Sequence, residues 1–147
     1  FGQFQNAGDR TSNGIELEAQ WQATRNLRLA GNVARSREGD SAYRSASLPE
    51  TTAYLRADWQ FHPGWHWNLQ ANWIGERDLP AGDPRAPLNA YALLDTTLRY
   101  APASDWGFAF SIRNLLNADA REYSSRSITE NLPLPERSFY IEAKYAF

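Results

Sequence analysis

Asp95 and two histidines four residues apart, His62 and His66, are the first residues to test for chemistry. An activated nucleophile needs a base within hydrogen-bond reach and a third group to orient that base. No nucleophile stands at a defined spacing from Asp95 or His66. His62 precedes Pro63-Gly64, a dipeptide that presets a tight turn. With 2 His and no Cys, the chain lacks the donors of a closed metal centre. We therefore expect no catalytic residue, no metal, no cofactor and no enzyme. Arginine and tyrosine are the better candidates. Arg35, Arg37, Tyr43 and Arg44 crowd one polar stretch, Arg77 and Arg85 a second, and Arg121, Tyr123 and Arg126 a third. Guanidinium and phenol groups together suit an anionic chelate, through charge-assisted bonds and stacking. Arg37, Tyr43, Arg44, Arg77, Arg85, Arg121, Tyr123 and Arg126 are thus the candidate ligand-binding residues. Asp40, Glu76, Asp78 and Asp83 dilute the basic character, and a plainly solvated loop is the competing reading.

The elements that must position these stretches follow from a period of two, the signature of a strand with one apolar and one polar face. The last nine residues show it most clearly. Phe139, Ile141, Ala143, Tyr145 and Phe147 alternate with residues that include Glu142 and Lys144. Six earlier segments of about ten residues repeat the pattern: Gly14 to Ala23, Leu27 to Ser36, Thr52 to Phe61, Trp65 to Ile74, Tyr91 to Tyr100 and Trp106 to Leu115. Phe1 to Gln5 can end a preceding strand. The connections alternate. They are short after Ala23, Phe61 and Tyr100, and long after Ser36, Ile74 and Leu115. No central position of any apolar face carries a charge.

Short turns on one side and long loops on the other define an up-and-down transmembrane barrel. Strands of about 9–11 residues suit a tilted membrane crossing, whereas strands of a soluble sandwich run to about 5–6. The mean hydropathy of -0.63 does not conflict with this, because alternate residues cancel the signal. The aromatic content of 14%, with 6 Trp, is high for so polar a chain. Trp21, Trp59, Trp65, Trp67, Tyr100 and Trp106 all lie near short turns and read as a lipid-interface girdle. Phe61, Tyr145 and Phe147 join it. A net charge of -2 and a pI near 5.7 argue against a nucleic-acid partner. Phe1 is not a natural start, so we expect a piece of a longer protein.

Several motifs, in this order, resemble the C-terminal barrel portion of TonB-dependent outer-membrane receptors. They are Asn13-Gly-Ile-Glu-Leu-Glu18, Leu27-Arg-Leu-Ala-Gly-Asn32, Tyr91-Ala-Leu-Leu-Asp95 with Leu98-Arg-Tyr100, and Asn114-Leu-Leu-Asn117. The last resembles the family's Asn-Leu-Phe-Asp turn, from which Leu116 and Asn117 depart. Pro135-Glu-Arg137 resembles Pro-Gly-Arg, and Phe147 matches the terminal aromatic of the family's assembly signal. The resemblance implies an all-β, antiparallel barrel of about 22 strands, of which residues 1–147 form the last seven to eight, roughly the last third. The plug domain and N-terminal strands would lie outside this chain. It further implies a bacterial outer-membrane receptor that imports a ferric siderophore or similar scarce chelate with energy from TonB, which acts through the plug. The C-terminus and short turns would be periplasmic and the long loops extracellular. Phe139, Ile141, Tyr145 and Phe147 would be read by the barrel-assembly machinery. Outer-membrane lipid would cover the apolar face, and lipopolysaccharide phosphates would compete for the loop arginines. The alternatives are a passive channel or adhesin barrel without TonB coupling, and a small closed barrel of eight strands.

Overall fold

The computed structural model describes residues 11–38, 48–79, 82–102, 105–124 and 128–147. Tyr43, Arg44, Arg126 and the segment Phe1 to Gln5 lie outside the described residues.

Among the described residues, nine strands follow in chain order: β1 (Ser12–Thr24), β2 (Leu27–Glu38), β3 (Thr51–His62), β4 (Trp65–Ile74), β5 (Tyr91–Tyr100), β6 (Trp106–Arg113), β7 (Arg121–Glu122), β8 (Leu132–Pro133) and β9 (Ser138–Tyr145). Seven of them form one antiparallel sheet in the order β1-β2-β3-β4-β5-β6-β9, and β7 pairs with β8 apart from it. Each sheet strand therefore lies beside its neighbour in sequence, the up-and-down order that the loop alternation predicts. The sheet is open, with β1 and β9 at its two edges.

Register decides whether the apolar residues share one face, since a slip of one residue moves a whole set to the other side. They do share it. Trp21 opposes Leu29, Leu29 opposes Ala57, Ala57 opposes Leu69 and Leu69 opposes Thr96. Thr96 opposes Ile112, and Ile112 opposes Phe139. Among the described residues nothing covers this face: Ile15 is 80% exposed, Leu55 60% and Ile141 85%. Thr96 is the polar member of the row. Its hydroxyl accepts from the Trp67 indole N–H at 2.7 Å and donates to the Asn68 carbonyl at 3.1 Å. A buried or lipid-facing hydroxyl needs such partners, and this one has both.

The predicted elements need four corrections. β1 to β3 run one or two residues further at their ends, because partner strands extend the ladder. β6 stops at Arg113 rather than Leu115, since Asn114 takes a left-handed conformation (φ 49) that no strand continues through. The segment from 116 to 137 is not bare loop but carries the β7–β8 pair. The closing strand ends at Tyr145, yet Ala146 N–H still bonds the Asp105 carbonyl at 2.8 Å.

The turns behave as their residues require. Gly64 has φ 76 in the Pro63-Gly64 turn, where an added Cβ would meet the Ala101 carbonyl oxygen at 2.8 Å. Pairing of Ser138 with Arg113 and of Tyr145 with Trp106 puts the chain end on the short-turn side of the sheet.

Candidate functional site

Two regions bring polar side chains together: the polar face of the sheet and the cluster of long connections at its loop end.

On the polar face, one row crosses all seven strands: Gln22, Arg28, Asp58, Asn68, Thr97, Ser111 and Tyr140. Its members bond along the row. Asn68 donates to Asp58 at 2.7 Å, and the Thr97 and Ser111 hydroxyls lie 2.9 Å apart. Arg56 forks onto both Asp58 oxygens at 2.7 and 2.9 Å. Arg28 donates to Gln20 at 2.7 Å, and Arg113 to Asp95 at 2.8 Å. The row from Gln22 to Ser111, without Tyr140, floors a recess of 740 Å³, lined also by His66, Arg99 and Glu142. His66 opposes Arg99 across the β4–β5 pair, and Asp95 is committed to Arg113 and to the Asn114 backbone N–H. The Asp95–His66 pairing considered from sequence is therefore not formed. Among the described residues, no three of His, Asp and Glu converge as a metal site.

Among the described residues, the loop end is the most enclosed region. Among the described residues, Leu88, Ala120, Arg77, Asn114 and Ser124 are buried there, against Ala109 alone within the strands of the sheet. Arg77 is 3% exposed. Its guanidinium donates to the Glu122 carboxylate and, at 2.8 Å, to the Arg121 carbonyl. Tyr91, at the head of β5, donates its hydroxyl to the other Glu122 oxygen. Partial burial opposes the Glu122 charge, but the bonds from Tyr91 and Arg77, with the Arg77 charge, hold its carboxyl below the ordinary value. Arg85 forks onto Asp83 at 3.0 and 2.7 Å, which raises its already high pKa. It also donates to the Ser124 hydroxyl at 2.6 Å, the Ser124 carbonyl at 3.1 Å and Asn131 at 3.1 Å. Its plane lies 5.3 Å over the Tyr123 ring.

The predicted ligand-binding set divides accordingly. Arg77 and Arg85 are spent on internal contacts, and Tyr123 lies against Arg85. Arg121 is exposed and reaches Asp119 at 3.2 Å. Arg37 is not in a loop; it lies in β2 opposite Asn13, on the parity of Leu29 and Val33, at the loop end of the apolar face. Sequence reasoning missed the partners Tyr91, Glu122, Ser124 and Asn131. The available signal was the mixture of acids with arginines in the same loops, which marks pairing rather than an open cationic surface.

The two motifs at the loop end also meet. Asn114 is buried, its side chain bonding both Ala118 backbone groups, at 2.8 and 3.0 Å, and the Pro135 carbonyl at 3.2 Å. Asn117, at φ 53, accepts from the Arg137 N–H at 2.9 Å. Thus Asn114-Leu-Leu-Asn117 pins Pro135-Glu-Arg137 and sets where β9 begins.

At the short-turn end, Trp59, Phe61, Trp65, Trp67 and Tyr100 form a connected aromatic belt, with Trp65 and Tyr100 stacked at 4.5 Å. Trp106, Tyr145 and Phe147 continue it at 4.9 and 6.2 Å, and Trp21 lies opposite Leu29. Phe139 sits at the far end, stacked on Phe110.

A protein-family model for the TonB dependent receptor-like β-barrel matches residues 1–115. The chain belongs to this family. The metal-pseudopaline receptor CntO of Pseudomonas aeruginosa is 29% identical to this receptor barrel over 137 residues, covering 86% of the chain and 19% of the relative. The ferric-catecholate import receptor Fiu of E. coli K12 superposes with a TM-score of 0.78 at 19% identity, over 92% of this chain and 21% of that one. The ferripyoverdine receptor of the Pseudomonas aeruginosa outer membrane gives 0.78 at 14%, over 92% and 19%. Both structural likenesses are likenesses of fold. The receptor barrel described here spans about a fifth of the length of these relatives.

Proposed function

We propose that this chain is the C-terminal wall of an outer-membrane receptor that imports a metal chelate, such as a ferric siderophore, with energy from TonB. The observation that carries the proposal is the two-faced sheet. One face is apolar over seven strands and, among the described residues, uncovered; the other is a hydrogen-bonded polar wall. That division suits a barrel with lipid outside and water or protein inside. Family membership supplies the receptor class, and the relatives' names supply the ligand chemistry. No step of catalysis is assigned to it.

The short turns and C-terminus face the periplasm in this proposal, and the long connections face outward. The aromatic belt then lies at the periplasmic headgroups, where amphipathic rings are stable. The outward parity of Arg37 at the loop end suits contact with lipopolysaccharide phosphates. The free edge of β9, with Phe139, Ile141, Tyr145 and Phe147, suits recognition by strand addition during barrel assembly. TonB itself would act through the plug, outside this chain. The test uses the full-length receptor in cells. Uptake of a labelled ferric chelate should require both the receptor and TonB. Uptake that persists after TonB is deleted would favour a passive channel instead.

A further inference from the structure

We infer that Arg35 and Arg37, with Thr51, form a headgroup site on the lipid-facing side of the sheet that holds the phosphate of one phosphorylated glycolipid of the outer leaflet; this rests on the orientation proposed above, in which the long connections face outward. On the apolar parity of the seven-stranded sheet, Arg35 and Arg37 stand alone as charges: no Asp, Glu, Lys or further Arg shares it. Arg35 opposes Ile15 of β1 and Thr51 of β3, and Arg37 opposes Asn13. Both arginines are exposed. Among the described residues, neither guanidinium has a hydrogen-bond or ion-pair partner. Glu38, next along β2, has the polar parity, opposite Ser12.

Height decides what can reach the pair. Leu27 opposes Trp59 of the aromatic belt, and Arg35 lies about 26 Å further along β2 at ~3.3 Å per residue. Strands of membrane barrels tilt by about 35–45°, so the climb is about 20 Å along the membrane normal for Arg35 and about 25 Å for Arg37. The apolar band of such barrels is about 25 Å tall. Arg37 therefore stands at the headgroup boundary opposite the belt. Arg35 starts just inside it and extends its head outward on its own methylenes.

Two guanidinium groups at alternate positions of one strand repel each other, and more strongly beside lipid than in water. A phosphate between them offsets that repulsion and accepts charge-assisted bonds from each fork. Thr51 adds a hydroxyl in the row of Arg35. Toward the midplane the surface turns apolar at once. Leu17 opposes Val33, Val33 opposes Ala53 and Ala53 opposes Trp73. An acyl chain laid over Ala53 is flanked by Val33 and Trp73. A cationic rim directly above apolar rows fits a lipid, which carries phosphate and chain on one molecule, better than a free phosphate.

The test is native mass spectrometry of the full-length receptor, released from detergent and titrated with phosphorylated lipid A, the same lipid A stripped of phosphate, and phosphatidylglycerol. Phosphorylated lipid A should bind tightest. Arg35→Gln combined with Arg37→Gln should weaken that binding by about tenfold and leave the stripped form unchanged. Arg25→Gln removes a charge at the short-turn end and should change nothing. Heat-modifiable migration on a gel confirms that each barrel has formed. If the double variant does not assemble, each single variant should still lose part of the affinity. Equal binding of the two lipid A forms, or altered receptors that bind like the unaltered one, would overturn the inference. A preference for phosphatidylglycerol would overturn it by placing the pair in the inner leaflet. Displacement of lipid A by an equal concentration of inorganic phosphate would overturn the lipid assignment. TonB-dependent uptake is measured separately and does not change with any of these outcomes.

Discussion

Leu55→Arg separates the two faces of the sheet most cleanly. Leu55 is 60% exposed, with Gly31 and Ala71 as its cross-strand neighbours. Both neighbours are small, so little protein shields the position from its surroundings. It lies four residues from the strand end at Thr51, about 13 Å along the strand at ~3.3 Å per residue. An arginine side chain does not span that distance and remains at membrane depth. Near the midplane the charge costs about 2–4 kcal/mol. The control is Gln70→Arg, on the polar face of the adjacent strand. Gln70 opposes Arg56 on one side and Asp95 on the other. The new charge gains one attraction and one repulsion in a wet environment, so its net cost stays under about 1 kcal/mol. Lost bonds to Tyr54 (3.3 Å) and Asn68 (2.9 Å) add a modest amount. Reversible urea unfolding of the full-length receptor in phospholipid vesicles measures both. Leu55→Arg should lower stability by at least ~2 kcal/mol more than Gln70→Arg. Equal losses, or a greater loss for Gln70→Arg, would refute the assignment of faces.

Other outcomes follow from individual contacts. Glu122 is held below its ordinary value of 4.5, so its stabilising contribution is full above that value and falls as pH drops through the folded-state value. Limited proteolysis of the loop end should thus accelerate in strong acid, and Glu122→Gln should remove this pH dependence. Asn114→Ala deletes three side-chain bonds and forces alanine to φ 49; a loss of about 2–3 kcal/mol is expected in the same urea assay. Asn114→Gly relieves the backbone strain alone and should recover part of that loss. In cells, Ile141→Lys should reduce the amount of assembled receptor sharply, since Ile141 is 85% exposed on the apolar face of the closing strand. Outer-membrane fractionation reads this directly, and unchanged abundance would remove the strand's apolar face from the assembly proposal.

The strands were legible because their cause is local. Alternation of Trp65, Trp67, Leu69, Ala71 and Trp73 with polar residues leaves β4 one way to face two environments, and its predicted ends match the structure. β6 was over-run because its stop lies in the backbone of Asn114, which residue type alone only suggests. The polar-face residues were readable by parity, but not as a row: which Asn lies beside which Asp depends on register with a neighbouring strand. The candidate ligand site was the least legible. An arginine that awaits a ligand and one that clamps two loops look the same in sequence.

By itself, then, the sequence determined the alternation, the strand order, the two faces and the motifs that mark the family, because each depends on residues close together in the chain. Only the tertiary structure decided what the loop arginines do. Arg77 and Glu122 are 45 residues apart in sequence, and Arg85 and Ser124 are 39 apart. Their pairing exists only once β4, β5 and β6 stand side by side and bring the two connections together. The same assembly buries Arg77 and commits its guanidinium to Glu122 and the Arg121 carbonyl.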